Sequence, residues 1–290
     1  MKPLKTSLMI GAACCLIGAA NSQAATLLGL YDSIEGQGLY VFDTANPWYG
    51  NSFYLSGIGA GEKLLAIDAR PLNGQVYALS SGSSIYTLNL GTGIATKVGT
   101  GFTTLLTGTH YGFDFNPTID RIRIVGNNGQ NIVANPTNGL ANVASTVPVF
   151  YGAGDANNGA TPNVVHHAYD NNFSGALTSQ LRAIDVDLDT LVTQANNAGT
   201  LGTVGPLGFN ATRNGGFDVD AAGTAWFANA DGLTTSSLYT INLTTGAGTL
   251  VGQLPCNIMG LTAINPALVP EPSSLALIGL GGLALLRRRR

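Results

Sequence analysis

Through the middle of the chain, short runs of apolar and β-branched residues alternate with clusters of Gly, Asn, Asp and Pro. The runs are too short and too often interrupted for helices, and they predict strands joined by tight turns. One phrase recurs as Ile85-Tyr86-Thr87-Leu88-Asn89 and Leu238-Tyr239-Thr240-Ile241-Asn242. Looser copies are Leu39 to Asp43, Asn131 to Asn135 and Leu181 to Asp185. Every copy ends in Asn or Asp, and the ends are spaced by 46, 46, 50 and 57 residues. Gly93, Gly139 and Gly246 follow three of them. An Asx side chain bonds backbone two residues on and Gly supplies positive φ, so each such copy predicts a strand closed by an Asx turn.

A second phrase, an apolar residue followed by Asp, precedes the first: Ile67-Asp68, Phe113-Asp114, Tyr169-Asp170 and Phe217-Asp218. One further strand lies between the phrases and another follows, giving about four strands in a repeat of about 46 residues. That period and strand count predict an all-β fold, a β-propeller of five blades. A six-bladed ring and an open β-sandwich are the competing arrangements. The segment Gly260 to Asn265 has no blade after it, and the copy ending in Asp43 has no Asp-bearing strand before it. The expectation is that this last strand completes the first blade and closes the ring. The fourth repeat is short, with 15 residues from Asp170 to Asp185 against 21 in the two before it, and is expected to lack a full second strand.

The two ends read differently. Lys2 and Lys5, an apolar stretch from Leu8 to Ala20 and small residues up to Ala24 predict a signal peptide over 1–24, removed by signal peptidase. Residues 25–269 form the propeller domain on this reading. At the other end Pro270, Glu271 and Pro272 precede an uncharged run of 14 residues, Ser273 to Leu286, and then Arg287, Arg288, Arg289 and Arg290. As a helix the run spans roughly 21 Å, a short transmembrane segment against a core of roughly 30 Å. The arginines would stay cytoplasmic and the domain outside. This tail resembles the PEP-CTERM sorting signal of Gram-negative bacteria. The resemblance implies recognition by an exosortase, removal of the tail, and a place in the periplasm, on the outer surface or outside the cell after transient anchoring in the inner membrane. It also implies an association with exopolysaccharide and biofilm.

Asp68-Ala69-Arg70-Pro71, Gly112 to Pro117, Arg121-Ile122-Arg123, Ala153 to Asn157 and Leu238 to Gly246 together resemble a family of secreted bacterial proteins, domain of unknown function 4394. The match runs over nearly all of the mature chain. It implies a propeller-like fold and secretion, and it supplies no catalytic residues.

Charge narrows the partners. The net charge is −3, yet six of the 13 basic residues sit at the ends, leaving seven basic and 15 acidic residues between Ala25 and Val269. A chain without a basic patch is not read as a nucleic-acid binder. Cys256 is the one cysteine outside the signal peptide, so no internal disulfide is expected.

Candidate chemistry rests on oxygen. Asp68, Asp114, Asp170 and Asp218 hold matching places in four repeats, either as a carboxylate ring for a hard cation or as caps serving the repeat itself. Asp185, Asp187 and Asp189 form a D-x-D-x-D run that partly matches a calcium loop, with Thr190 and Asn196 where Gly and Glu are required. Calcium is the cofactor considered. His166 and His167 are adjacent, hence expected on opposite faces with one buried and one facing water. Tyr151, Asp155, Asn157 and Asn158 lie in Pro148 to Pro162, the longest stretch without strand pattern, and suit sugar contacts. These features predict a non-enzymatic exported protein with an interaction or matrix role, alongside the alternative of a polysaccharide-active hydrolase or lyase at the channel mouth.

Overall fold

The computed structural model describes residues 24–142, 146–232 and 234–265. The signal peptide expected over 1–24, save Ala24, and the 270–290 sorting signal lie outside the described residues. Blade one takes β1 (Thr26–Ser33), β2 (Gly36–Asp43) and β3 (Gly50–Tyr54). Blade two is β4 (Leu64–Ala69), β5 (Val76–Ser80), β6 (Ser84–Asn89) and β7 (Ile94–Val98). Blade three is β8 (Tyr111–Asn116), β9 (Arg121–Gly126), β10 (Asn131–Ala134) and the two-residue β11 (Ala141–Asn142). Blade four holds β12 (Phe150–Tyr151), β13 (Val164–Tyr169), β14 (Leu181–Asp185), β15 (Thr190–Gln194) and β16 (Thr200–Pro206). Blade five is β17 (Gly215–Val219), β18 (Ala225–Ala230), β19 (Ser236–Ile241) and β20 (Gly248–Leu254), and β21 (Ile258–Ala263) ends the described chain.

The five sheets are separate, and β21 pairs antiparallel with β1 in the order β21-β1-β2-β3. Leu261 faces Gly29 across that pair, and Leu30 faces Leu39 across the next. The C-terminal strand is thus the innermost strand of the N-terminal blade, and the expected five-bladed closed ring is what forms. Closure removes the inner edge that β1 would otherwise present.

The recurrent phrase folds as its chemistry dictates. Asn89 Oδ1 accepts from the N–H groups of Gly91 and Thr92, and Gly93 N–H returns to the Asn89 carbonyl with φ +69°. The Asn242 turn repeats this with Thr244, Thr245 and Gly246. Between blades, apolar side chains from facing sheets interdigitate. Leu30 and Leu39 pack with Leu64 and Ile67 at one seam, and Ile184 and Leu191 pack with Phe217 and Phe227 at another. Burial of such side chains contributes about 1.5–3 kcal/mol each.

Blade four departs from the expectation. It has all four antiparallel strands, and β12 adds a fifth, parallel to β16. Leu181–Asp185 is its second strand, and the third is Thr190–Gln194. The turn after that third strand has the usual geometry, Gly199 N–H to the Ala195 carbonyl, with Ala in the Asn place. The innermost strand ends before Asp170, so the position equivalent to Asp68 belongs to Ala168. The histidines are also corrected: both are buried, because β13 is covered on both faces.

Candidate functional site

The innermost strands β4, β8, β13, β17 and β21 surround the axis, and on four of them one side chain reaches the next strand. Asp68 Oδ2 accepts from Phe115 N–H at 2.7 Å, Asp114 Oδ1 from Tyr169 N–H at 2.9 Å, and Asp218 Oδ2 from Ala263 N–H at 2.6 Å. Thr262 Oγ1 accepts from Ala69 N–H at 3.0 Å and donates to Asp68 Oδ1 at 2.9 Å. Each bond ties one innermost strand to its neighbour. Ala168 has no acceptor, and Val219 N–H bonds the side chain of the preceding Asp218 instead.

Oxygens of Asp68, Asp114 and Asp218 lie within 4.8 Å of one another, fully shielded from water. Burial, then the Asp218 charge, holds the Asp68 carboxyl well above the usual carboxylate range. Burial, then Asp68 and Asp218, does the same to Asp114. Burial pushes Asp218 up to about 7 against the pull of its backbone hydrogen bonds. Like charges so close in a dry site cannot all ionise at neutral pH, so the ring retains protons.

Beyond the ring the axis is filled. Gly112 lets the His167 ring lie where a Cβ would stand, and Gly216 lets the backbone of Leu261 approach. The space left there is about 10 Å³, at the lower limit for one water. His166 donates through Nε2 to the Thr212 carbonyl and His167 to the Arg123 carbonyl. Burial lowers these imidazoles to about 4 and about 3, so both are neutral at pH 7.

On the side where the innermost strands end, a cleft of about 650 Å³ opens over the ring. Its charged lining residues are Arg70 and Asp220. Arg70 holds Asp120 through its Nε and Nη2 groups, and Asp220 accepts from Ala222 N–H, Thr224 N–H and Trp226 Nε1–H. The rest is amide, hydroxyl and apolar, including Asn73, Asn172 and the exposed side chains of Leu72 and Phe173. Ala24 and Asn265, the first and last described residues, also line it.

The profile of the domain of unknown function DUF4394 matches residues 38–262, which takes in blades two to five, β3 and most of β2 and β21, and leaves out β1. The chain belongs to the DUF4394 family. The PEP-CTERM protein-sorting motif matches residues 268–290 and marks this DUF4394 chain as an exported protein processed by an exosortase. No match is found among curated proteins. Among solved structures it is similar to a chain of the nidogen/laminin complex, at 10% identity and a TM-score of 0.48, covering 84% of this chain and 99% of that one. It is also similar to an auxiliary nutrient binding protein from Bacteroides ovatus, at 16% identity and 0.42, covering 68% and 55%.

The DUF4394 structure places the remaining candidate residues as follows. Tyr151 is buried and donates to Asp185 Oδ2 at 2.7 Å. Asp155 accepts from Thr203 N–H and Oγ1, and Asn157 donates to the same hydroxyl. Asn158 donates to the carbonyls of Tyr151 and Gly152. Tyr151, Asp155 and Asn157 fasten the long loop to Asp185 and Thr203 of blade four, and Asn158 ties the loop back on itself. In the D-x-D-x-D run, Asp185 Oδ1 accepts from Asp187 N–H, Asp187 meets Asn163 and Arg213, and Asp189 accepts from Ala211 N–H. Each engages a different partner. Asp170 accepts from Gln180 N–H, away from the ring. Two ring positions escaped the sequence reading. Leu261-Thr262 repeats the apolar-plus-polar form of Ile67-Asp68 and was detectable, whereas His167-Ala168 carries no signal.

Proposed function

We propose that this exported chain is a non-enzymatic binding propeller whose ligand is a neutral polysaccharide held in the channel-mouth cleft. The observation that carries the reading is the state of the acids. Three carboxylates converge under the cleft, yet they are dry and bonded to backbone N–H groups of neighbouring strands. A general acid or base has to reach its substrate directly or through one water. The cleft lining that remains is amides with apolar faces such as Phe173, which suits hydroxyl hydrogen bonding and ring stacking on an uncharged sugar. The tail anchors the domain to the inner membrane before processing, and release delivers it to the periplasm, the outer surface or the matrix, where it contributes to exopolysaccharide and biofilm.

Glycan-array binding by the purified processed protein tests this. Signals on neutral polysaccharides, weakened by Phe173→Ala and Leu72→Ala, are expected. Blank arrays, or release of reducing sugar from a bound polymer, would reject it, the latter in favour of the hydrolase or lyase alternative.

A further inference from the structure

We propose that a cavity at the seam between blades three and four binds a small sugar acid, with Arg121 holding its carboxylate. This site shares no lining residue with the channel-mouth cleft. Seven basic residues lie between Ala25 and Val269. Lys63, Arg70, Lys97, Arg182 and Arg213 meet the carboxylates of Asp32, Asp120, Glu62, Asp170 and Asp187 in turn. Among the described residues, Arg121 and Arg123 have no carboxylate partner. Both belong to β9, two residues apart, so their side chains leave the same face of the sheet. That face is turned to blade four, because Val125, next in the alternation, packs with Val164, Ala183 and Val192. Ile122 and Ile124, on the other face, pack with Leu79 and Ile85 of blade two. In a domain with 15 acidic residues, the two cations without an acid therefore share one seam.

A cavity of about 440 Å³ opens beside Arg121, within the roughly 300–1,000 Å³ of small-ligand sites. No acidic residue lines it. The carboxylate of Asp120 is held by Arg70, and Arg121 meets only the Asp120 backbone carbonyl, through Nη1 at 2.9 Å. The rest of its guanidinium has no acceptor among the described residues. Three carboxamides share the lining. Asn135 Oδ1 accepts from Thr137 N–H, Asn138 Oδ1 from Leu140 N–H, and Asn197 Oδ1 from the Arg123 guanidinium at 2.8 Å. Those donors fix which end of each amide is oxygen and leave the amino groups to donate. Apart from the Thr103 hydroxyl, the side-chain polar groups left for a ligand are therefore all donors, gathered round a cation. Such a lining selects a ligand that is rich in acceptors and negatively charged. The Arg121 fork matches a carboxylate with two parallel bonds. The amino groups suit ring and hydroxyl oxygens, and the exposed side chains of Ile119 and Leu140 offer apolar contact to the C–H faces of a sugar ring. A sugar acid carries all three features in one small molecule.

The test is an NMR titration of the purified exported protein with glucuronate, galacturonate, glucose and inorganic phosphate, following the Arg121 Nε–H and the Asn side-chain signals. Saturable shifts are expected with at least one of the two uronates, at an affinity at least tenfold above those of glucose and phosphate and falling as salt is raised. Arg121→Gln should weaken uronate binding about tenfold or more. Arg121→Lys should recover only part of it, because the charge stays and the fork is lost. The Arg121 side chain makes one bond within the protein, so these variants should melt with the wild type. Asn138→Asp is the second variant: it keeps an acceptor for Leu140 N–H, replaces the amino donor with a negative charge, and should abolish binding in a folded protein. Phe173→Ala in the channel-mouth cleft should leave uronate binding unchanged. No saturation with either uronate, or full binding by Arg121→Gln, overturns the site. Equal affinity for phosphate overturns the sugar acid in favour of a bare anion. Loss of uronate binding in Phe173→Ala but not in Arg121→Gln moves the ligand to the cleft and also overturns the proposal.

Discussion

Four seams of the ring are latched by a side chain on one innermost strand that accepts a backbone N–H from the next, and the seam between β13 and β17 is not. At that seam Ala168 offers no acceptor, and Asp218 bonds Val219 N–H on its own strand. Apolar packing takes over there: Val165, Ile184 and Phe217 share a cluster, and His166 meets the Phe227 ring edge-on at 5.1 Å. The latch is therefore a means of satisfying backbone donors beside a crowded axis. Where another acceptor is at hand, the blade needs none. The open place also limits the number of carboxylates that must share the dry centre.

Breaking a latch should have the largest effect. Asp68→Ala strands the Phe115 N–H and removes the acceptor of the Thr262 hydroxyl. A loss of about 3 kcal/mol in a denaturant titration is expected, since each buried orphaned donor costs about 1–3 kcal/mol. Adding the missing acid should also harm the ring. Ala168→Asp would place a fourth carboxyl in the buried cluster, with an expected loss of about 2 kcal/mol, larger at pH 8 than at pH 5.

Acidity follows from the same crowding. The folded pKa values of Asp68, Asp114 and Asp218 lie above those of an unfolded chain. The folded state then binds more protons, so this contribution to stability is full below the ordinary carboxylate range near pH 4 and is lost as pH rises towards about 7. The melting midpoint is expected to be higher at pH 5 than at pH 8, and Asp218→Asn should flatten that slope. An unchanged slope in the variant would show that the ring is not its source. The smallest effect belongs to the loop of blade four: Tyr151→Phe removes one buried bond to Asp185 and should cost about 1 kcal/mol.

The five-bladed plan was legible because Asn89, Asn135 and Asn242 close the same turn with a glycine four residues on, and local chemistry repeats where local geometry repeats. Blade four was misread for the converse reason. Ala195 makes the turn without an Asn, while Leu181–Asp185 copies the third-strand phrase at the second strand. The carboxylate cluster was half legible. Asp68, Asp114 and Asp218 stood out by repetition, but their approach to within 4.8 Å depends on ring closure across blades, which no spacing along the chain encodes. Nor could the sequence distinguish Asp170 from a ring member, since Tyr169-Asp170 imitates the motif two residues beyond its true place.

The position of β21 in the first blade has a consequence for biogenesis. The strand that completes the first sheet is synthesised last and lies immediately ahead of the sorting tail. If export runs N-terminus first, β1 is without its inner neighbour until Ile258–Ala263 has been delivered. Sheet closure in the first blade then comes after every other strand of the ring has been delivered.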